Sequence, residues 1–249
     1  MAEHLTSQLG GGGSIPTSPL QFAVRQIPKE QTREWILKKH YAKRMPQIQL
    51  AFGLYDIASV LRGICTFGLP PNQNIGLVCG ENYRNNFIEL NRLVLSDNTP
   101  NLASYFVSKC FKHLDKPIIV VSYSDPNYGH CGYIYQALNA LYTGYGGENK
   151  EYIFQGKRYN SRHIKGYWFE GRGIRFNYSK TIDEQFRAIG GEVRLVAPKH
   201  RYIFLLGNKR EKKAMRQNFK WSVLPYPKGD NQRYDASYKP VTQGVFNLT

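Results

Sequence analysis

Acidic residues are scarce in this chain. Its 249 residues include 18 Asp and Glu against 34 Lys and Arg, a formal net charge of +16. A surface so short of carboxylates suits a partner carrying many phosphates, because each neutralised phosphate releases condensed counterions. A merely soluble basic surface is the bland alternative. Cysteine is sparse as well. Cys65, Cys79, Cys110 and Cys131 form no C-x-x-C pair and no H-x-x-x-H occurs, which argues against a disulfide framework and the usual zinc spacings and for reduced thiols in a cytosolic setting. No apolar run reaches the roughly 18 residues of a membrane span, and the N-terminus lacks the hydrophobic stretch of a signal peptide. The expectation is a protein neither secreted nor membrane-spanning. What the chain holds in quantity is apolar and aromatic residues, 41% and 14% of the total, enough to exclude disorder throughout and to fill a sizeable core.

Residues 1–19, with GGGGS and IPTSP, read as a flexible arm outside the fold; residues 20–229 read as the folded domain and 230–249 as an irregular tail. QTREWILKKHYAKR, 31–44, has helical spacing and a basic last turn, and Met45-Pro46 stops it. IQLAFGLYD and ASVLRGICTFG are two β-runs around a polar turn at Asp56, the pattern of an antiparallel hairpin. In FIELNRLVLS, 87–96, a period of two places Ile88, Leu90, Arg92 and Val94 on one face. Thr99 as N-cap and Pro100 at the first helical position then open a helix with Leu102, Phe106, Cys110 and Leu114 on its buried side. PIIVVSYSD is a strand covered on both faces, and the helix after it is expected to run through Tyr142, with Tyr135, Asn139 and Tyr142 on one stripe. Strand, helix, strand, helix implies an α/β fold with crossovers that favour parallel neighbours. Further on, a hairpin turns at Gly156, HRYIFLLG is a strand, and NKREKKAMRQNFKW is a basic helix.

The joint at Asp125 attracts chemistry. In open α/β sheets ligands sit beyond the carboxyl ends of strands, where Asp125, His130 and Cys131 follow a greasy strand. Arg92 interrupts an apolar stripe, and a guanidinium there needs a carboxylate, phosphate or carbonyl in its fork. It is either structurally paired or aimed into a site. The strand-to-helix step at Thr99 and Asn101 offers amide donors to an anion, so these two, with Tyr135, are candidates for holding a bound group. Arg158 and Arg162 flank Tyr159, an arrangement suited to stacking on a base or to surface decoration, and Lys209, Arg210, Lys212 and Lys213 form a cluster suited to phosphates.

His40-Tyr41, ELNRLVL at 89–95, SYSDPNYGHCGYIYQALN at 122–139, GKRYNSRHI at 156–164, RYIFLLGNKR and LPYPKG together resemble the Mom family of bacteriophage DNA-modification proteins. The resemblance spans about residues 22–229. It implies a GNAT-like acyltransferase fold with a central mixed sheet flanked by helices. It implies modification of the exocyclic amine of adenine in double-stranded DNA to a carbamoylmethyl derivative, in the cytoplasm of the infected host, as protection from restriction. The catalytic candidates are then Arg92, Asp125, Tyr135 and His40, the donor acetyl-CoA or a related acyl donor. An iron requirement and a homodimer are both compatible with it. One departure is plain: SDNTPNLAS, 96–104, contains no glycine where GNAT enzymes carry a Gly-rich phosphate loop. The rival readings are an N-acyltransferase acting on a protein or small-molecule amine, and a basic DNA-binding protein without catalysis.

Overall fold

The apolar runs of the sequence become neighbouring strands. The computed structural model describes residues 18–96, 98–161 and 163–229; most of the expected arm, the expected tail and Arg162 lie outside them. In chain order the elements are β1 (Ala23–Gln26), β2 (Leu50–Tyr55), β3 (Leu61–Gly68), β4 (Phe87–Leu95), α1 (Leu102–Lys112), β5 (Ile118–Ser124), α2 (Tyr133–Ala137), β6 (Leu141–Tyr145), β7 (Asn149–Phe154), β8 (Lys157–Asn160), α3 (Gly166–Glu170), α4 (Ile182–Ala188), β9 (Glu192–Val196), β10 (His200–Leu206) and α5 (Lys209–Gln217). A seven-stranded sheet runs β1-β2-β3-β4-β5-β10-β6, and a three-stranded one β8-β7-β9. This is the expected α/β architecture with a mixed central sheet. The β2–β3 hairpin turns as read, because Asp56 Oδ1 accepts from the amides of Ala58 and Val60, both at 2.9 Å, while Oδ2 pairs with Arg62 at 2.7 Å. The β7–β8 hairpin turns on Gln155 and Gly156, with φ of 49° and 73°, the left-handed pair that two-residue hairpin loops use. Among the described residues no helix is long and apolar enough to cross a membrane.

Among the described residues parallel pairing occurs once, between β4 and β5, joined by the α1 crossover. The second crossover does not place β6 beside β5, because β10 inserts between them, antiparallel to both. Phe106, Val107 and Cys110 of α1 cover one face of the sheet, over Phe52, Phe67, Leu90 and Val120. The other face is divided. Trp35 and Ile36 lie over Ala51, Ile64 and Val94, whereas Val78 and Met215, the latter from α5, lie over Ile119, Val121 and Ile203. β5 is thus apolar on both sides, as its continuous run implied. The small sheet has its own core of Tyr152, Trp168, Phe169 and Phe186.

Four expectations need correction. First, Arg92 does not share a face with Ile88, Leu90 and Val94 as a simple alternation. The β3–β4 register passes from Thr66↔Arg92 to Phe67↔Leu90 and skips Asn91, so β4 contains a bulge that shifts the alternation by one. Leu93 then joins Ile88 and Leu90 under α1, and Val94 turns to Trp35. Asn91 anchors the bulge: its Oδ1 accepts from Thr66 Oγ1 at 2.6 Å and its Nδ2 donates to the Gln47 carbonyl at 2.9 Å. Second, the helix expected over 31–44 contracts to a 3-10 turn, Lys29–Thr32, and a π-helical turn, Trp35–Lys39, closed where His40 N–H reaches Trp35 O at 3.1 Å; His40 itself is extended. Third, Thr99 is not the N-cap. Asn101 takes that place at φ 62°, tolerable for Asn, and the Thr99 carbonyl accepts from Leu102 N. Fourth, α2 ends at Ala137; Asn139 turns left-handed at φ 57°, and Tyr142 belongs to β6, hydrogen-bonded to His200 Nδ1 at 2.9 Å.

The bulge anchor can be tested directly. Thr66 is fully buried, so Asn91→Ala strands its hydroxyl, and urea denaturation should show a loss of about 1–3 kcal/mol.

Candidate active site

Two parallel strands deliver their carboxyl ends to the same edge of the sheet. The last β4–β5 pair is Leu90↔Ser122; past it the bulge carries β4 away, and a wedge opens. A cavity of about 290 Å³ fills it, with Arg92, Leu93 and Leu95 on one wall and Tyr123, Ser124 and Asp125 on the other. His40 and Tyr41 close one side, and Thr99, Pro100 and Ala103 at the start of α1 another. His130 to Tyr135, leading into α2, complete it.

Tyr135 marks the apex. Its ring is partly buried against Tyr202, centroids 5.2 Å apart. Ser122 Oγ donates to the Leu90 carbonyl at 2.9 Å, joining the last paired residues of the two strands. Burial pushes the Tyr135 phenol up to about 12, against the opposing pull of Ser122 and the Arg92 charge. It therefore keeps its proton at neutral pH. Arg92 donates to the carbonyls of Asn91, at 2.5 Å, and Arg44, at 3.0 Å, which hold the guanidinium at the rim of the wedge.

His40 is 4% exposed, and burial, then the charges of Arg92, His130 and Lys199, depress its pKa to about 2. Its Nδ1 accepts the Ala42 amide at 3.0 Å, so the neutral ring carries its proton on Nε2. It is built to donate a hydrogen bond, not to take a proton. Tyr41 stacks on His40 at 4.3 Å and lies 5.2 Å from His130. Asp125, also 4% exposed, accepts at Oδ1 from Asn127 N and Nδ2 and pairs through Oδ2 with Lys199 Nζ at 3.0 Å. The turn-forming role of this aspartate and its place in the cleft are both realised. Burial lowers the pKa of His130, and the Asp125 charge partly opposes that, so its imidazole is neutral at pH 7.

The loop carrying His130 and Cys131 is pinned from below. Gln136 Nε2 donates to the Cys131 carbonyl at 3.0 Å, and so does the Tyr202 hydroxyl. Gly132, at φ 75°, leaves room for this: a Cβ there would lie 2.5 Å from the Tyr202 ring.

Arg92, Asp125, Tyr135, His40 and Thr99 thus meet in one cavity, while the exposed Asn101 is not part of its lining. Arg158 sits on β8, exposed and 3.7 Å from Glu151. Lys209, Arg210, Lys212 and Lys213 are exposed on α5, over the sheet face opposite α1. The profile of the Mom protein family matches residues 21–228, a span that includes every residue of the cavity. The chain belongs to the Mom family. A relative, "Methylcarbamoylase mom" of Escherichia phage Mu, is 29% identical over 218 residues, 84% of this chain and 84% of that protein.

Among the described residues of this Mom-family protein no three His, Cys, Asp or Glu gather as a metal-ligand set. Beyond Leu90 and Ser122 the facing backbones of β4 and β5 no longer pair with each other, and Leu93, Leu95, Pro100 and Ile134 supply apolar contact. Sequence reasoning missed Ser122 and Lys199, whose roles depend on strands and loops far apart in the chain. It gave Gln136 no role, although a glutamine in the short helix that follows a Gly-rich joint is a signal for loop anchoring.

The buried histidine makes an acid-sensitivity test. Unfolded His40 binds a proton near pH 6.5 and folded His40 does not until about 2, so its stabilising contribution is present above pH 6.5 and is lost as pH falls. The loss approaches about 1.4 kcal/mol per pH unit in that window. Denaturation at pH 7.5 and 5.5 should show His40→Asn, which keeps an acceptor for Ala42 N–H but cannot titrate, losing less stability than the parent.

Proposed function

We propose that this protein modifies the exocyclic amine of adenine in phage DNA, producing N6-carbamoylmethyladenine and shielding the DNA from host restriction in the cytoplasm of the infected cell. The similarity to a phage methylcarbamoylase along most of both chains carries this reading. The cleft supports it, since the residues it gathers suit transfer to a weak nucleophile. We read the fold as GNAT-like on the strength of its mixed sheet and of a parallel pair that parts at its carboxyl ends, where α/β sheets take ligands.

Adenine's amine delocalises its lone pair into the ring, so a proton must leave as the new bond forms. His130, neutral and beside the Asp125 carboxylate, accepts that proton; the carboxylate favours the imidazolium that results. The product requires a donor that, when bound, would present a carbamoylmethyl group through an electrophilic methylene carbon bearing a leaving group; transfer of a simple acetyl group would give N6-acetyladenine instead. Leu93, Leu95, Thr99 and the diverging edges of β4 and β5 line the space that would hold it. Tyr135, protonated at the apex, gives a proton to the departing group. Arg92, with the neutral His40 on the same cavity wall, faces oxygen atoms on which negative charge grows. The target amine is paired inside the duplex, so the base is extruded or captured as its pair breathes.

Mass spectrometry of nucleosides from DNA of cells expressing the protein should find the carbamoylmethyl adduct of deoxyadenosine. An unmodified pool beside folded protein would mean a DNA-binding protein without catalysis, and acylated amines formed without DNA an N-acyltransferase. Tyr135→Phe keeps the ring packing and should lower the single-turnover rate at least about a hundredfold with duplex affinity unchanged. Because the His130 pKa lies below 6.5, the rate should be flat above pH 7 and fall on acidification, as the base becomes protonated.

Backbone affinity is assigned to α5. Replacing Lys209, Arg210, Lys212 and Lys213 by Ala should weaken binding to all duplex sequences alike. It should also flatten the log–log salt dependence by about 0.9 for each phosphate that the helix no longer neutralises.

A further inference from the structure

Four rings cluster at one side of the wedge. His40, Tyr41 and His130 line it, and Tyr128 stands just outside that lining. Tyr41 is the hub: its ring stacks on His40 at 4.3 Å, meets His130 at 5.2 Å and meets Tyr128 at 4.5 Å with the planes 39° apart. Tyr128 is 47% exposed, so the cluster runs from the cavity wall out to solvent. A single exposed tyrosine is ordinary on a protein surface. This one continues a set of rings that reaches the residue assigned to take a proton from the target amine.

The outer ring stands on a stiff support. Tyr128 closes the 3-10 turn Pro126–Tyr128, and its N–H donates to the Asp125 carbonyl at 3.1 Å. Asn127 ties that turn to the segment before β10, since its Nδ2 donates to the Ala197 carbonyl at 2.9 Å and its Oδ1 accepts from Ala197 N at 3.2 Å. A ring on a support fixed in this way loses little freedom when another ring stacks on it. Tyr41 arrives from a distant part of the chain. It follows the π-helical turn whose Trp35 and Ile36 pack on the face of the sheet that also carries Met215 of α5. A duplex held along α5 therefore lies on the side of the sheet from which Tyr41 comes. Lys43, two residues past Tyr41, is exposed and suits a phosphate beside a stacked base. Aromatic faces with cations among them take a nucleobase, whereas a phosphate by itself has no face to stack.

Resting on the reading of the protein as a DNA adenine-modifying enzyme, we propose that Tyr128 and Tyr41 form the stacking platform that receives the extruded base and holds its amine edge toward His130. Every base has a π-face, so the platform captures and positions a base without selecting it.

Capture is measured apart from catalysis, with no donor present. Affinities are compared for a duplex with one adenine opposite an abasic site, a duplex with one guanine opposite an abasic site, and a duplex lacking both bases of that pair. Removing the pairing partner lowers the cost of extrusion, and the duplex lacking both bases controls for local flexibility. The parent should bind each unpaired-purine duplex at least about fivefold more tightly than the one lacking both bases, the low end of what stacking on an aromatic ring contributes. Tyr128→Leu should abolish the gain and Tyr128→Phe should keep it, with the melting temperature and the affinity for a fully paired duplex as in the parent. The proposal is overturned by no gain in the parent, by a gain confined to one purine, by a gain that survives in Tyr128→Leu, or by its loss in Tyr128→Phe, even if deoxyadenosine is modified in cells. The stated pattern beside unmodified deoxyadenosine would uphold the platform and reject the modification reading.

Discussion

The structure turns on one extra residue in one strand. Asn91 is accommodated as a bulge because Thr66 and the Gln47 carbonyl satisfy its side chain, and everything that makes a site follows from that accommodation. Pairing between β4 and β5 ends at Leu90 and Ser122. The alternation of β4 slips, so that Leu93 faces α1 and Arg92 reaches the Arg44 carbonyl. Without the slip the two central strands would continue side by side, as their apolar composition favours, and no cavity would divide them.

Around that opening, burial does more to set the chemistry than any pair of charges. Arg92 and Asp125 line the cleft, and the Asp125 carboxylate is already engaged by Lys199 and Asn127. In such surroundings a buried histidine does not hold a second positive charge, and His40 and His130 are both driven toward the neutral form. The same burial keeps the Tyr135 phenol protonated. The outcome, among the described residues, is a set of neutral hydrogen-bonding groups beside the Arg92 guanidinium, suited to stabilising developing charge.

The chain's last described segment stabilises the helix that carries Tyr135. Leu224 N donates to the Tyr142 carbonyl at 2.9 Å, Tyr226 donates to that of Ala140 at 2.6 Å, and Gln136 reaches Pro227 O at 3.3 Å. The Tyr133 hydroxyl meets the Gly229 carbonyl. α2 is only a turn and a half long and has no side-chain cap at Gly132, so these bonds from a distant part of the chain supply what its own sequence does not. LPYPKG, read from the sequence as part of the family resemblance, thereby has a structural reason.

Local chemistry was legible wherever a short stretch determines its own conformation. The β2–β3 hairpin follows from Asp56, the β7–β8 hairpin from Gln155-Gly156, β5 from its unbroken apolar run, and α5 from Asn208 and Glu211, which cap it reciprocally. The joint at Asp125 was legible too, since a strand that ends in Asp-Pro before a Gly-rich loop places polar groups at a sheet edge. What the tertiary structure decided were the features set by partners distant in sequence. The π-helical turn before His40, the start of α1 at Leu102 and the break of α2 before Tyr142 each depend on packing or strand pairing that outweighs weak local propensity. So does the bulge at Asn91, because periodicity describes a strand by itself, whereas a register shift is a property of two strands and of the buried hydroxyl that accepts the mismatch.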